Sequence, residues 1–356
     1  MQYLIESQLI LEYTLHRTCV GGNKGIQKDL DDGIDTIGKK MTVCQLYAKQ
    51  IRHRGNVRYN TKNGRKRLMK LLEEDKLGGC PIDSVKLSDA KEWAIRMKEK
   101  GISYKTISND KRSLKAAFYT AIQDDCIRKN PFDFQLNTVI EDDTEPKVPL
   151  TPAQEESFLS FAQNDKVYQK YYDELIILLG TGLRISELCG LTDTDINFEN
   201  RIINVDHQLL RSAKTGYYIE TPKTKSGIRQ IPMSEKVYEA FNRVLKRRRG
   251  AKAVTIDGYS NFLFLNRDGY PKTATNYDGM FRGHAKKYNK YHEEALPKVM
   301  TPHTLRHTFC TNMANAGMNP KALQYITGHS NITMTLNYYA HATFDSAKAE
   351  MLRIAA

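Results

Sequence analysis

The residues His303 and Arg306, near the end of the chain, are of types that can bind a phosphate together. Thr301 and Pro302 come just before them and predict a helix with Thr301 as its N-cap. The three-residue spacing puts both side chains on one face of the first helical turn, where free N–H groups and the helix dipole favour an anion. A helix with a merely polar cap would show the same pattern, so the pair alone decides nothing.

A second polar cluster, His329 with Tyr339, ends the same stretch, 301–341. A tyrosine hydroxyl becomes a nucleophile only with a proton acceptor and a positive field, because its ordinary pKa lies near ~10. At helical spacing Tyr339 shares a face with Ile332 and Leu336, as a core aromatic would, while Tyr338 points elsewhere and has the freer hydroxyl. Periodicity by itself therefore assigns no chemical role to either tyrosine.

The composition is that of a soluble globular protein with a polyanionic partner. The 356 residues are 40% hydrophobic and 27% charged, and 54 Lys and Arg against 41 Asp and Glu give a net charge of +13. An acidic membrane surface would also fit this charge, but no apolar run approaches the length of a membrane span and no lipidation motif is visible. We therefore expect a cytoplasmic protein that binds nucleic acid and does not enter a membrane.

The six cysteines predict neither a zinc site nor a disulfide framework. They are scattered singly, with no C-x-x-C pair. Reduced, mostly buried thiols are the expectation. The positions are Cys19, Cys44, Cys80, Cys126, Cys189 and Cys310.

The first half of the chain predicts a small all-helical module. Helical periodicity appears at 41–51, around 68–76, from Ser88 or Asp89 to Gly101, and at 104–125. Basic outer faces and a basic loop at 65–67 favour DNA contact, although an ordinary solvated face gives the same pattern. The candidate contacts are Arg65, Lys105, Asn109, Arg112 and Lys115.

An exposed linker at 141–150 precedes a mixed α/β domain. Thr151 and Gln154 form a predicted capping box, and a buried helix stops at 180–182. Short β-rich segments predict a small antiparallel sheet, with hairpin tips at 211–216 and 223–227 and a further strand and turn at 261–271. The segments are 201–206, 216–222 and 229–233. A helix follows Ser234, and its basic end at 246–249 suits either the helix dipole or DNA. Another helix is predicted at 277–291.

Five motifs in order resemble those of the tyrosine recombinases, also called phage-type integrases. They are TGLRISEL, PKTKSGIRQIP, HTLRHTF, GHSN and YAH. Each is weak or moderate alone, but the ordered set, over 151–341, is specific. The likeness is greatest to integrases of conjugative transposons from Gram-positive bacteria. It implies a site-specific recombinase that excises and integrates a mobile element, with no ATP, metal or other cofactor.

The resemblance gives each motif residue a role at a DNA phosphate. Arg184 and Arg306 would clamp the scissile phosphate, since guanidinium forks suit phosphate oxygens. Tyr339, selected by the family's Tyr-x-His pattern, would attack and form a 3′-phosphotyrosyl link. His303 would take the tyrosine proton, and His329 would support the phosphate.

Lys225, on a mobile hairpin turn, would protonate the leaving 5′-oxygen. Lys223 competes with it, and the position relative to Ile231 and Pro232 favours Lys225. His307 faces about ~100° away from Arg306 and is expected to be structural.

The implied architecture is mainly α with a small antiparallel sheet, a helical core-binding domain and a catalytic domain closing as a C-shaped clamp around DNA. The expected parts are 1–40, unassigned and a candidate remnant of an arm-binding region; 41–140, core-binding; 141–150, linker; 151–341, catalytic; and 342–356, a C-terminal helix. That last helix would pack in cis or dock on a neighbour within a tetramer. An excisionase and DNA-bending proteins are expected partners.

We hypothesise further DNA contacts from the hairpin residues Arg211, Lys214 and Tyr217, and from Lys223. Two alternative functions stay open. A type IB topoisomerase-like enzyme would use the same chemistry to relax DNA, and a catalytically silent DNA-binding regulator would keep only the fold. The complete set of six motif residues argues against a silent protein.

Overall fold

The computed structural model describes residues 38–55, 57–145, 148–222, 224–248, 254–293, 295–297, 299–339 and 351–352. The chain divides into two compact units, 1–145 and 146–356, each with its own hydrophobic core. The boundary lies within the segment predicted as a linker. The sequence-based expectations for residues 1–37 and for most of the C-terminal helix lie outside the described residues.

The described part of the first unit is helical. Its helices are α1 (Val43–His53), α2 (Tyr59–Glu73), α3 (Leu87–Glu99) and α4 (Tyr104–Gln123). Apolar residues at helical spacing on α4, among them Ile107, Leu114 and Phe118, are fully buried. Trp93 of α3 packs edge-on to Phe132, with ring centroids 5.8 Å apart. The predicted all-helical module is confirmed.

The basic loop predicted at 65–67 is wrong, because these residues lie inside α2. Their side chains are long and unbranched and favour a helix, and the apolar positions Leu68 and Leu72 anchor the helix in the core. The side chain of Arg67 also forms an ion pair within the unit. Its guanidinium donates to both carboxylate oxygens of buried Asp110, at 2.6 and 2.7 Å.

Helices of the second unit surround a buried central helix. They are α5 (Pro152–Asn164), α6 (Tyr172–Thr181), α7 (Ile185–Gly190), α8 (Glu235–Arg248), α9 (Ala274–Tyr291), α10 (Pro302–Asn315), α11 (Pro320–Thr327) and α12 (Thr333–Leu336). The predicted capping box is present on α5, where Gln154 N donates to Thr151 Oγ1 at 3.2 Å. Apolar on nearly all sides, α6 packs against α8 and α10. These contacts place the ends of α6 and α10 side by side.

The described part of this unit also contains two small antiparallel sheets, rather than the one predicted. Strands β1 (Ile196–Asn197), β2 (Ile202–Val205) and β5 (Arg229–Pro232) form one sheet in the order β1-β2-β5, and β3 (Gln208–Ser212) with β4 (Gly216–Glu220) forms a hairpin. The segment of Lys225 is therefore not a hairpin tip, because it joins β4 to a strand of the other sheet. The strand predicted at 261–271 is also wrong, since only isolated bridges at Phe262 and Leu265 occur there.

The structure tests the sequence-based expectations for the cysteines and for membrane-spanning helices over the described residues. Five cysteines in the described part of the chain are free thiols, three of them buried, and Cys19 lies outside that part. Among the helices described, none combines the length and the apolar character that a membrane crossing requires.

Candidate active site

Arg184 is held at the junction of α6 and α7. Gly182 ends α6 in the left-handed conformation, with φ +62°, and Arg184 becomes the N-cap of α7. Its backbone N donates to Glu187 Oε2 at 2.9 Å, and its side chain donates to Glu187 Oε1 at 2.7 Å and to the carbonyl of Gly328 at 3.0 Å. About a third of the side chain remains exposed (33%), which leaves a face of the guanidinium open to a ligand.

Arg306 reaches the same place from α10 and is almost completely buried, at 6% exposure. Its guanidinium donates to the carbonyl of Gly182 and to the carbonyl of Thr327, both at 2.5 Å. Burial lowers the pKa of Arg306 to about 10, and the positive charge of Arg184 acts in the same direction. The side chain is still protonated at neutral pH, so two cationic forks share one small region.

His329 lies directly after the C-terminal end of α11, next to these arginines. Gly328 closes the helix in the left-handed conformation, and His329 Nδ1 lies 3.0 Å from Thr335 Oγ1. Burial lowers the pKa of His329 to about 4, with the charges of Arg306 and Arg184 acting in the same direction. The imidazole is therefore neutral at pH 7 and can take part in a hydrogen bond to a phosphate oxygen.

Glu187 and Arg229 belong to the site but were missed by sequence reasoning. The fully buried guanidinium of Arg229 donates to Oε1 and Oε2 of Glu187, at 3.1 and 2.9 Å. Burial alone would raise the pKa of Glu187, but the hydrogen bonds and charge of Arg229, with the charge of Arg184, hold it below its ordinary value. The three-residue spacing of Arg184 and Glu187 was a usable signal. Nothing local marks Arg229, whose partner lies 42 residues away.

The cations of the site outnumber its anions. Three guanidinium groups, those of Arg184, Arg229 and Arg306, face one carboxylate, that of Glu187. Two positive charges are therefore left uncompensated within this set, in surroundings where burial strengthens electrostatic interactions. Such a site favours a phosphate and favours still more the extra negative charge that develops when a nucleophile attacks it.

Lys225 and His303 have exposed side chains at the rim. Lys225 begins a short 3-10 turn, Lys225–Gly227, whose Gly227 carbonyl accepts from Arg229 at 3.0 Å. His303 lies in the first turn of α10, three residues before Arg306. The exposed His303 and the buried Arg306 differ more in environment than their shared helical face suggested. Both rim residues can approach a ligand from the solvent side.

Helical spacing predicted that Tyr339 faces the core and that Tyr338 has the freer hydroxyl. In the structure, Tyr338 is the more strongly buried of the two. Tyr339 donates its hydroxyl to the carbonyl of Met318 at 2.5 Å, and burial raises its pKa. Tyr338 instead stacks on His329, with ring centroids 6.4 Å apart, and burial raises its pKa to about 12. The ring of His307, expected to be structural, contacts Tyr338 at 4.9 Å. The structure thus brings together Arg184, Arg306 and His329, but holds the Tyr339 hydroxyl on a backbone carbonyl.

Comparison with known proteins identifies this arrangement. The sequence profile described as the phage integrase family matches residues 149–346, more than half of the chain. The chain belongs to the phage integrase family. The chain is 68% identical over 329 residues to the transposase from transposon Tn916 of Enterococcus faecalis, covering 92% of this chain and 81% of the relative. It is 30% identical over 280 residues to the tyrosine recombinase XerA of Pyrococcus furiosus, covering 76% and 79%.

The fold of this phage integrase is also seen in the solved structure of a similar protein. The Tn1549 transposon integrase in complex with transposon right end DNA is 77% identical, with a TM-score of 0.84, and the match covers 89% of this chain and 100% of that one. The resemblance to tyrosine recombinases and to transposon integrases is confirmed. The protein is a site-specific recombinase, an enzyme that cleaves and joins DNA strands.

The predicted DNA-contact residues of this recombinase lie on exposed or half-buried surfaces. On α4, Lys105, Asn109 and Arg112 are exposed, while Lys115 pairs with Asp133 at 2.5 Å. Arg65 is half-buried on α2.

On the hairpin, Arg211 lies 5.2 Å from the ring of Tyr217, its cross-strand partner, and Lys214 is exposed at the tip. Tyr217 also stacks on Tyr270. Lys223 lies outside the described residues, so its competition with Lys225 stays a prediction.

One group of side chains in the recombinase has the composition of a metal site. The candidate donor atoms of Asp195, Asp206 and His207 lie within 4.8 Å of one another. Both nitrogens of His207 are already engaged, Nδ1 with Asp206 at 2.6 Å and Nε2 with the carbonyl of Gly190 at 2.8 Å. The group supports the end of α7, and its histidine offers no lone pair directed at an ion.

Proposed function

We propose that this recombinase binds double-stranded DNA at the ends of a mobile element and at a target site, and excises and integrates that element. The observation that carries the proposal is the pair Arg184 and Arg306, held on the adjacent carbonyls of Gly328 and Thr327 beside His329. Near relatives are a Tn916 transposase and a Tn1549 integrase seen with transposon end DNA, which supports the same class of substrate here.

In the proposed reaction, the hydroxyl of Tyr339 attacks a DNA phosphorus. A bond forms between the tyrosine oxygen and phosphorus as the bond to the 5′-oxygen breaks, which leaves a 3′-phosphotyrosyl link. His303 accepts the phenol proton and Lys225 donates a proton to the departing oxygen. Arg184 and Arg306 stabilise the charge on the non-bridging oxygens, with a hydrogen bond from neutral His329. Attack by a 5′-hydroxyl of another strand reverses these steps and completes strand transfer.

The described conformation requires one rearrangement before attack. The Tyr339 hydroxyl donates to the carbonyl of Met318, and its side chain packs with the small cluster around Phe309 and Leu323. We propose that bound DNA draws the segment after α12 toward the arginines and releases this hydrogen bond. The stacked ring of Tyr338 would have to move with it, since the two residues are adjacent in the chain.

We also propose that four protomers act together on DNA. Exchange between two duplexes requires cleavage of four strands, and each protomer carries one nucleophile. Excisionase and DNA-bending proteins are the proposed accessory partners. The net charge of +13 supports an extended contact with the phosphate backbone.

A matched pair of tyrosine variants tests the nucleophile. The probe is a duplex with the element's own end sequence, nicked beside the cleavage site so that the released fragment diffuses away and the covalent adduct accumulates. We expect wild type and Tyr338→Phe to form the adduct and Tyr339→Phe to form none, because only the last lacks the attacking oxygen. Denaturing gel electrophoresis measures the adduct. Loss of the adduct in Tyr338→Phe with retention in Tyr339→Phe would reverse the assignment.

The same probe separates the alternative functions. Absence of any adduct with wild type on cognate DNA contradicts the enzyme and leaves the silent regulator. An adduct together with supercoil relaxation, but no joining of two different duplexes, favours the topoisomerase-like reaction. Recombinant junctions that appear only when two partner duplexes are present support the recombinase.

A further inference from the structure

Three consecutive backbone carbonyls at the end of α11 each accept a hydrogen bond from a different arginine. The carbonyl of Ile326 accepts from Arg229 Nε at 2.6 Å. Those of Thr327 and Gly328 accept from Arg306 at 2.5 Å and Arg184 at 3.0 Å. The last carbonyls of a helix lack partners within the helix and form its negative pole, so guanidinium groups satisfy them well. The helix end is a common anchor for all three cations.

Arg229 differs from the other two arginines because it is fully buried, with 0% of its side chain exposed. Besides the carbonyl of Ile326, its guanidinium donates to the carbonyl of Gly227 at 3.0 Å and to both carboxylate oxygens of Glu187. Four of the five N–H groups of its side chain are used in these contacts. It therefore has no face with which to bind DNA.

The partners of Arg229 belong to three segments that carry proposed catalytic groups. Gly227 closes the turn that begins at Lys225, and Glu187 holds both the backbone and the side chain of Arg184. Ile326 lies in the last turn of α11, three residues before His329. One side chain thus connects the general acid, one arginine of the clamp and the supporting histidine.

We propose that Arg229 is a positioning residue for strand cleavage. It makes no contact with DNA, but its four hydrogen bonds set the distances among Lys225, Arg184 and His329. The inference rests on the proposed function, since it assumes that these three groups act at one phosphate. A shift of about 1 Å in such groups can lower a rate by about 100-fold, whereas DNA affinity depends on many phosphate contacts elsewhere.

A planar guanidinium is needed for this role. Lysine keeps the positive charge, but its single nitrogen cannot reach the carbonyls of Ile326 and Gly227 and both oxygens of Glu187 together. We therefore expect Arg229→Lys to lower the single-turnover cleavage rate on saturating nicked duplex by about 100-fold, with little change in the Kd for that duplex. The full-length protein is used for rate, Kd and thermal unfolding.

A remote ion pair between an arginine and a buried carboxylate supplies the control. In the first unit, Arg96 donates to both oxygens of buried Asp75, at 2.8 and 2.7 Å. Arg96→Met removes a guanidinium from a buried carboxylate, as Arg229→Met does, and should also lower thermal stability. We expect cleavage at saturating DNA to be retained in Arg96→Met and lost in Arg229→Met. Equal losses in both would reduce Arg229 to a stabilising residue and overturn the proposal.

A double variant guards against simple misfolding. Glu187→Gln with Arg229→Met removes one cation and its carboxylate together, so that the number of uncompensated charges in the site stays as in the wild type, and it should regain much of the stability lost in Arg229→Met. Because the ties to Ile326 and Gly227 are still absent, cleavage should stay slow. Recovery of the rate together with stability, or a wild-type rate in Arg229→Lys, contradicts the positioning role. Failure of wild type to form the adduct would instead overturn the proposed function, and this inference with it.

Discussion

At the scale of single residues, identical side chains perform different tasks because their burial differs. Arg306 is 6% exposed and donates hydrogen bonds to two backbone carbonyls, whereas a third of the Arg184 side chain is exposed to solvent. Arg229 is completely enclosed and bound to Glu187. In the proposed reaction Arg184 and Arg306 therefore bind the phosphate, and Arg229 acts as the positioning residue. Burial lowers the pKa of His329, and the neighbouring positive charges act in the same direction.

His329 makes stability depend on pH in a defined window. Its pKa is about 4 in the folded protein and about 6.5 in an unfolded chain. The unfolded state therefore binds the proton more readily than the folded state. The contribution of neutral His329 to the free energy of unfolding is complete above pH 6.5 and is lost as the pH falls toward 4. Near pH 5 this one group contributes a slope of about 1.2 kcal/mol per pH unit. We expect His329→Gln to remove that part of the slope.

Urea unfolding followed by far-UV circular dichroism, at pH 7.5 and at several values down to pH 4.5, measures this effect. His284, also buried and with its pKa lowered to about 4 by burial, should maintain a similar slope in both proteins. The comparison therefore isolates one proton. Identical slopes for wild type and His329→Gln would mean that the imidazole is solvated in the folded state.

At the scale of elements, the end of α11 is where α7, α10 and the Lys225 turn meet. Gly328 permits this close approach. It has φ +63°, and a Cβ built on it would lie 2.8 Å from the carbonyl oxygen of Ser226 and 3.2 Å from two atoms of Arg229. Glycine is required here because the backbone is left-handed and because any side chain would collide with Ser226 and Arg229.

Two glycine variants separate these requirements. Gly216 has a similar φ of +71°, but nothing lies within 4 Å of its added Cβ. Gly216→Ala should therefore cost only the left-handed strain, about 1–2 kcal/mol. Gly328→Ala should cost that strain plus overpacking, about 2–5 kcal/mol in all, and should also slow adduct formation. Chemical denaturation and the nicked-duplex assay measure the two effects. Equal destabilisation by the two variants would show that the Ser226 carbonyl moves aside without lowering the free energy of unfolding, which would contradict the overpacking argument.

At the scale of the whole molecule, two separate cores imply two unfolding units. The core of the first contains Trp93, the sole tryptophan of the chain, which is fully buried. The core of the second contains none. Tryptophan fluorescence therefore reports the first unit alone, whereas far-UV circular dichroism reports both, so the two signals need not follow one transition.

The same substitution in each core tests this independence. Leu114 of α4 and Leu178 of α6 are both fully buried. Replacing either by alanine should cost about 2–5 kcal/mol. We expect Leu114→Ala to move the fluorescence transition in urea and Leu178→Ala to leave it in place while shifting the circular dichroism signal. A fluorescence transition that moves equally in both variants would show that the units unfold as one.

Much of this molecule follows from local sequence signals. Caps, glycine stops and helical periodicity act within about one turn, so the start of α5 at Thr151 and the apolar face of α4 were predictable. Errors arose where partners are distant. Whether residues 65–67 form a loop or a helix depends on the burial of Leu68 and Leu72. Strand β5 does not pair with β4, because it pairs with β2 in the other sheet.

The sequence by itself determined the family, because the residue types and their order along 151–341 are those of the phage integrases, and the same motifs supply the residues proposed to bind the phosphate. Only the tertiary structure decided how those groups are held. Arg306 and Gly182 are 124 residues apart, and Arg229 and Ile326 are 97 apart, so no local pattern encodes their hydrogen bonds. For the same reason the orientation of Tyr339 toward Met318 could not be read from spacing. Which partner a side chain selects depends on the long-range packing around it.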